Sequence, residues 1–192
     1  MPIFLPPTML TDASAFVSWN PSDKNASVTL SNANATESCA SAGTAVRSLL
    51  GKSTGKWVAG ITIDSGANLA MVGIANASAS LSTYPGGDAN AWAFMCTNGN
   101  KWSGGSNSAY GATVANLDQV DVIWDATGGK LYFAKNGTVM NSGDPVAGTG
   151  FAYSGLSGTM MVIAGNSNSA GTSQCTFVAP IWTGTGFSRW AG

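Results

Sequence analysis

The chain contains no histidine. That removes the usual general base near neutral pH, the Ser-His-Asp arrangement and the commonest zinc ligand. Charge is scarce too: 9% of the 192 residues are charged, against about 25% in ordinary soluble domains. The basic residues Lys24, Arg47, Lys52, Lys56, Lys101, Lys130, Lys135 and Arg189 are scattered. No cluster among them offers the phosphate contacts that nucleic-acid affinity needs. No apolar run approaches the ~20 residues of a membrane span, so no membrane insertion is expected. Glutamate occurs once, as Glu37. The cysteines, Cys39, Cys96 and Cys175, lack the short spacing of a zinc or redox motif and read as three buried thiols in a protein made in the cytoplasm. No metal or cofactor is expected.

In place of charge stand Gly, Ser, Thr, Asn and Ala, alongside 44% apolar residues, enough for the core of one domain. With a net charge of −1, solubility does not rest on charge. A polar, nearly uncharged surface suits a protein packed in an assembly. The start, Met1-Pro-Ile-Phe-Leu-Pro-Pro7, has neither the basic segment nor the apolar helix of a signal peptide. Residues 1–15 read as an extended arm, with Phe4 and Leu5 as candidate assembly contacts. Residues 179–192 read as an aromatic tail whose Trp182, Phe187, Arg189 and Trp190 have the composition of an interface anchor. Two placements stay open: folded back over the domain, or inserted into a neighbouring subunit.

The segment Leu131-Tyr-Phe-Ala-Lys-Asn-Gly-Thr-Val-Met140 carries the strongest structural signal. Apolar residues alternate around Asn136-Gly137, a pair that tolerates the positive φ values of a type I′ hairpin turn. Similar short runs rich in Val, Ile, Thr and aromatics recur between Gly, Asn, Ser and Asp clusters, which predicts an all-β sandwich or barrel. Strands are predicted at Phe16–Trp19, Val28–Leu30, Thr44–Ser48, Lys56–Ile63, Leu69–Ala75, Ala91–Cys96, Gln119–Asp125, Lys130–Lys135, Thr138–Met140, Thr159–Gly165 and Gln174–Phe177. Within Trp57–Ile63, alternation puts Trp57, Ala59, Ile61 and Ile63 on one face. Long polar connections are expected from Ser78 to Asn90 and from Asn98 to Asn116, lengths often tied to function.

These pieces stand in the order of a known family. Gly55-Lys56-Trp57 leading to Ile61-Thr-Ile-Asp64, then Val72-Gly-Ile-Ala75, Tyr84-Pro-Gly86 followed by Asp88 and Trp92, the paired Asp118 and Asp125, Gly129–Phe133 with Asn136-Gly137, and Gly143-Asp-Pro145 together resemble the SPRY domain. The likeness runs from about Phe16 to Val178. Departures are Leu117 where a Gly is usual, Asp121 and Trp124 between the aspartates, and Cys175-Thr-Phe-Val178 at the close. The resemblance implies a bent sandwich of two antiparallel sheets over residues 16–178, with long loops at one end forming the binding surface. It also implies protein or peptide partners and no shared catalytic residues. The compact Gly/Ser/Asn-rich texture resembles that of SPRY-like domains in bacteriophage structural proteins.

Carboxylates are the remaining acid–base candidates. Asp121 and Asp125, four apart on one strand, sit ~13 Å apart by the rise per residue, too far for the ~5–10 Å of a glycosidase pair. Asp118 and Asp125 are read as bonding turn backbone at the strand's two ends. Gly51-Lys-Ser-Thr54 resembles the end of a phosphate-binding loop but has Val46 where the motif needs Gly. Most of the seven tryptophans fall on strands and read as core. Trp102, in the second long connection, and Tyr84 and Tyr110 are candidate binding aromatics. The expected function is non-catalytic: a capsid-decoration or head-fibre protein of a phage virion, contacting other virion proteins or its own copies. The alternative is an adhesin that recognises a cell-surface glycan through Tyr84, Trp102 and Tyr110.

Overall fold

Asn136 and Gly137 have φ values of 48° and 81°, the left-handed pair that a type I′ turn requires. The turn joins β11 (Lys130–Lys135) to β12 (Thr138–Val139), with Lys135 opposite Thr138. It is docked on β10 (Gln119–Asp125): the Asn136 amide donates to the Gln119 carbonyl, and the Gln119 amide to Asn136 Oδ1. The structure, a computed structural model, describes residues 17–191. The predicted arm, with Phe4 and Leu5, lies outside the described residues.

Two sheets form the sandwich. One has seven strands in the order β1 (Trp19–Lys24), β4 (Ala45–Lys52), β13 (Met160–Asn166), β6 (Ala70–Ala75), β7 (Ala91–Met95), β8 (Asn100–Ser103) and β9 (Ser106–Ala109). The other runs β12, β11, β10, β5 (Lys56–Ser65), β14 (Ser173–Val178), β3 (Thr36–Cys39) and β2 (Val28–Ser31). These neighbours are antiparallel throughout. The exception lies off that path: β15 (Ser188–Arg189) pairs in parallel with Trp57 and Val58 of β5. The sole helix among the described residues is a 3-10 turn, Met140–Ser142.

The predicted faces hold. Ala59, Ile61 and Ile63 of β5, Val120, Val122 and Trp124 of β10, and Val72, Ile74 and Phe94 fill the space between the sheets. Trp19 stacks on Phe177 there, centroids 3.9 Å apart. Val58, Ile123, Tyr132 and Ala134 form a smaller cluster on the outer face of the eight-stranded sheet.

Four strands escape the sequence pattern: β3, β8, β9 and β15. Thr-Glu-Ser-Cys, Asn-Lys-Trp-Ser, Ser-Asn-Ser-Ala and Ser-Arg hold almost none of the β-branched residues that mark a strand. The connection expected from Asn98 to Asn116 is therefore corrected to a hairpin followed by a shorter loop. Its Gly104-Gly105 turn has φ values of 59° and 74°, again a type I′ pair. At the start, the strand expected at Phe16–Trp19 begins at Trp19 and runs on through Pro21 to Lys24, which an edge strand tolerates.

Candidate binding site

Pairing places Trp102 of β8 opposite Ala93 of β7. Its ring therefore lies on the outer face of the seven-stranded sheet, beside the side chains of Met71 and Met95, which are paired across β6 and β7. Trp102 thus sits on a strand rather than in the loop its polar neighbours suggest. The connection from β6 to β7 folds over the same face. Its Ala79 and Leu81 pack on Ala45, Ala75, Ala91 and Ile163.

This loop is stapled to the β8–β9 turn. Gly104 donates to the Asp88 carbonyl at 2.9 Å and Gly105 to the Gly86 carbonyl at 3.0 Å. Asp88 holds the loop's own shape, its carboxylate accepting the amides of Ser80 and Asn90. Gly86 has φ of 86°, and a Cβ there would stand 2.4 Å from the Trp102 carbonyl oxygen. No other residue fits that approach. The result brings Tyr84 edge-on to Trp102, centroids 5.5 Å apart.

Between them opens a cavity of about 310 Å³, lined by Met71, Met95, Tyr84, Trp102, Ser167, Asn168 and Ser169. Among the described residues, no charged side chain lines it. Trp102 Nε1 and Ser167 Oγ are buried without a hydrogen-bond partner among the described residues. Such groups cost ~1–3 kcal/mol each unless something satisfies them. Chemically the cavity offers thioether and aromatic surface with a few neutral hydrogen-bonding groups, a setting that can hold a ligand.

Tyr110 does not join this pair. It is buried with its ring edge-on to Phe133, and its hydroxyl donates to the Gly150 carbonyl at 3.2 Å. Burial pushes its pKa up to about 12.

The four tail aromatics and cations separate likewise. The chain crosses the outside of the eight-stranded sheet, where the amides of Ile181 and Trp182 donate to the buried Asp121 carboxylate at 3.3 and 2.8 Å. Gln119 Nε2 reaches both Asp121 Oδ1 and the Ala179 carbonyl. Trp182 and Phe187 meet edge-on at 5.0 Å over the Val58–Tyr132 cluster. β15 then takes the stretch of β5 edge that β14 leaves open. Trp190 turns into the core, 2% exposed, with Nε1 donating to the Leu50 carbonyl. Trp190 is therefore held inside its own chain, Trp182 and Phe187 are half-buried, and Arg189 is exposed.

Among the described residues the carboxylates form no open pair. Asp118 accepts the Ala115 amide and an ion pair from Lys135 at 2.8 Å, and its pKa falls to about 2, chiefly through Lys135. Asp125 accepts the Gly128 amide and faces Lys56 at 3.3 Å. Both hold the strand's ends, as their spacing predicts. Asp121, unremarked as a contact in the sequence, is the anchor of the tail; burial raises its pKa despite these bonds. Glu37 lies on β3 between the core-facing Cys39 and Cys175, wholly buried, with neither oxygen bonded among the described residues by distance and angle. Burial pushes its pKa up to about 7, against the two thiols beside it. Asp64, its nearest acidic neighbour, bonds Thr176 on the opposite face of the sheet. The three cysteines are free and buried, and among the described residues no group of His, Cys, Asp and Glu is arranged for a metal.

The fold matches the crystal structure of the SPRY domain of human HERC1 with a TM-score of 0.68. The match covers 83% of this chain and 96% of that one at 13% identity, a likeness of fold alone. No curated protein sequence matches. The SPRY domain family profile matches residues 55–178, from the Gly-Lys-Trp that opens β5 to the end of β14. The chain belongs to the SPRY domain family, whose members are protein-interaction modules.

Proposed function

We propose that this chain is a non-catalytic binding module that holds other proteins, or its own copies, within a bacteriophage particle, as a capsid-decoration or head-fibre accessory protein. The observation that carries the binding role is the Tyr84–Trp102 cavity. It is an uncharged recess on the outer sheet face, closed on one side by a stapled loop and lined by thioether and aromatic side chains. The placement in a particle rests on composition: 9% charged residues and a surface of Gly, Ser, Thr and Asn give little electrostatic repulsion between neighbours.

Quantitative mass spectrometry of particles purified from the source tests this reading. Hundreds of copies per particle are expected for decoration, and a handful for a vertex or tail position. Absence from particles removes the virion role. Trp102→Ala, on an edge hairpin, leaves the fold intact and is expected to lower incorporation at least tenfold. Unchanged incorporation takes the cavity out of the binding surface. The glycan reading keeps support from the Tyr84–Trp102 pair and the Ser/Asn rim, but Tyr110 stands apart from them. A glycan array with the same variant decides it.

A further inference from the structure

Leu117 has φ of 70° and is 78% exposed. The Asp118 amide donates to the Ala115 carbonyl, closing a turn over residues 115–118 with Leu117 at its third position. Asn116 is not left-handed, so this is the type II pattern, which calls for Gly or Asn at that place. The conformation is locked from both sides: Leu117 donates to the Ile63 carbonyl at 2.7 Å, and Ile63 to the Asp118 carbonyl at 3.0 Å. A branched apolar side chain here sits in a strained backbone conformation and gains little burial among the described residues.

Beside it opens a second cavity, of about 340 Å³. Ala112, Val139 and Met140 give it apolar surface, and Lys135, Asn136, Thr138 and Asn141 its polar rim. The two features share one surface: Asn136 Nδ2 bonds Asp118 Oδ1 at 2.8 Å, and Lys135 pairs with Asp118 at 2.8 Å. The charge at the rim is already neutralised.

We propose that this end of the sandwich is a self-association surface, in which Leu117 of each copy enters the Ala112–Met140 cavity of the other. One surface carries both the protruding side chain and the recess, which is what a two-fold interface requires. The internally paired rim and a net charge of −1 leave little repulsion between copies. The surface is separate from the Tyr84–Trp102 cavity, so neither reading depends on the other.

Sedimentation equilibrium of the full chain up to about 1 mM, the weak limit of a specific contact, tests it. The expected result is a dimer that Leu117→Asn and Ala112→Arg each weaken at least tenfold. Leu117→Asn also keeps or raises the melting temperature, because Asn tolerates the turn, so its loss of association cannot come from unfolding. A monomer throughout the range overturns the proposal. So does a dimer that either variant leaves intact.

Discussion

At the scale of single residues, Glu37 departs furthest from ordinary behaviour. Its carboxyl faces the core between two thiols, and its folded pKa of about 7 exceeds the ordinary 4.5. A raised carboxyl pKa means the fold prefers the neutral form. Stability is then full below pH 4.5, falls as pH rises toward 7, and stays low above it. The loss is on the order of 3 kcal/mol for a shift of this size. Glu37→Gln keeps the shape without the charge, so its urea stability at pH 8 is expected to exceed that of the native chain by that order, with little difference at pH 4. Asp118 acts in the opposite sense and lower range: its pKa of about 2 adds stability that is lost as pH falls from 3.8 through 2. Equal stabilities at pH 8 would show that the fold does not raise the Glu37 pKa. The sequence marked Glu37 only as the chain's single glutamate. Its burial arises from the pairing of β3 with β14, which nothing local to Thr36–Cys39 announces.

At the scale of elements, the C-terminal segment behaves as a strap. Asp121 fixes its start, Trp182 and Phe187 cover an apolar cluster, β15 completes the β5 edge, and Trp190 closes the core. Trp190→Ala removes a fully packed indole and its hydrogen bond to Leu50. The expected cost is about 3–5 kcal/mol, read as a lower urea midpoint. A midpoint within experimental error of the native one would show the strap to be peripheral. Removing residues 181–192 is correspondingly expected to weaken the domain rather than release a free-standing tail. The hairpins divide instructively. Asn136-Gly137 lies between alternating apolar residues and is legible at sight. Gly104-Gly105 makes the same turn between polar strands, and only its glycine pair, itself a hairpin signal, gave notice. The sequence therefore offers Trp102 as a candidate aromatic without showing the strand that carries it.

At the scale of the whole molecule, low charge has a consequence for stability. The described residues hold three ion pairs, of which Arg47–Asp23 is the most enclosed, its guanidinium also reaching the Asn76 and Ala79 carbonyls. Partly exposed pairs contribute ~0–1 kcal/mol each and are screened by salt. Unfolding free energy is expected to change by less than about 1 kcal/mol between low and physiological ionic strength. A larger change would reveal long-range electrostatics that scattered charges do not supply. The same scarcity leaves both cavities uncharged or internally neutralised, which favours close neutral packing over electrostatic steering of partners.

Sequence by itself determined the all-β class, the inward faces of β5 and β10, the turn at Asn136-Gly137, and the roles of Asp118 and Asp125 at their strand's ends. Each is local: side-chain alternation and turn chemistry act within a few residues. Tertiary structure alone decided which aromatics meet. Tyr84 reaches Trp102 because a loop folds across two strands and Gly86 admits it. Tyr110 and Trp190 are drawn into the core because the strands beside them leave room there. Those placements depend on packing between segments tens of residues apart, and no short pattern in the chain encodes the distance between them.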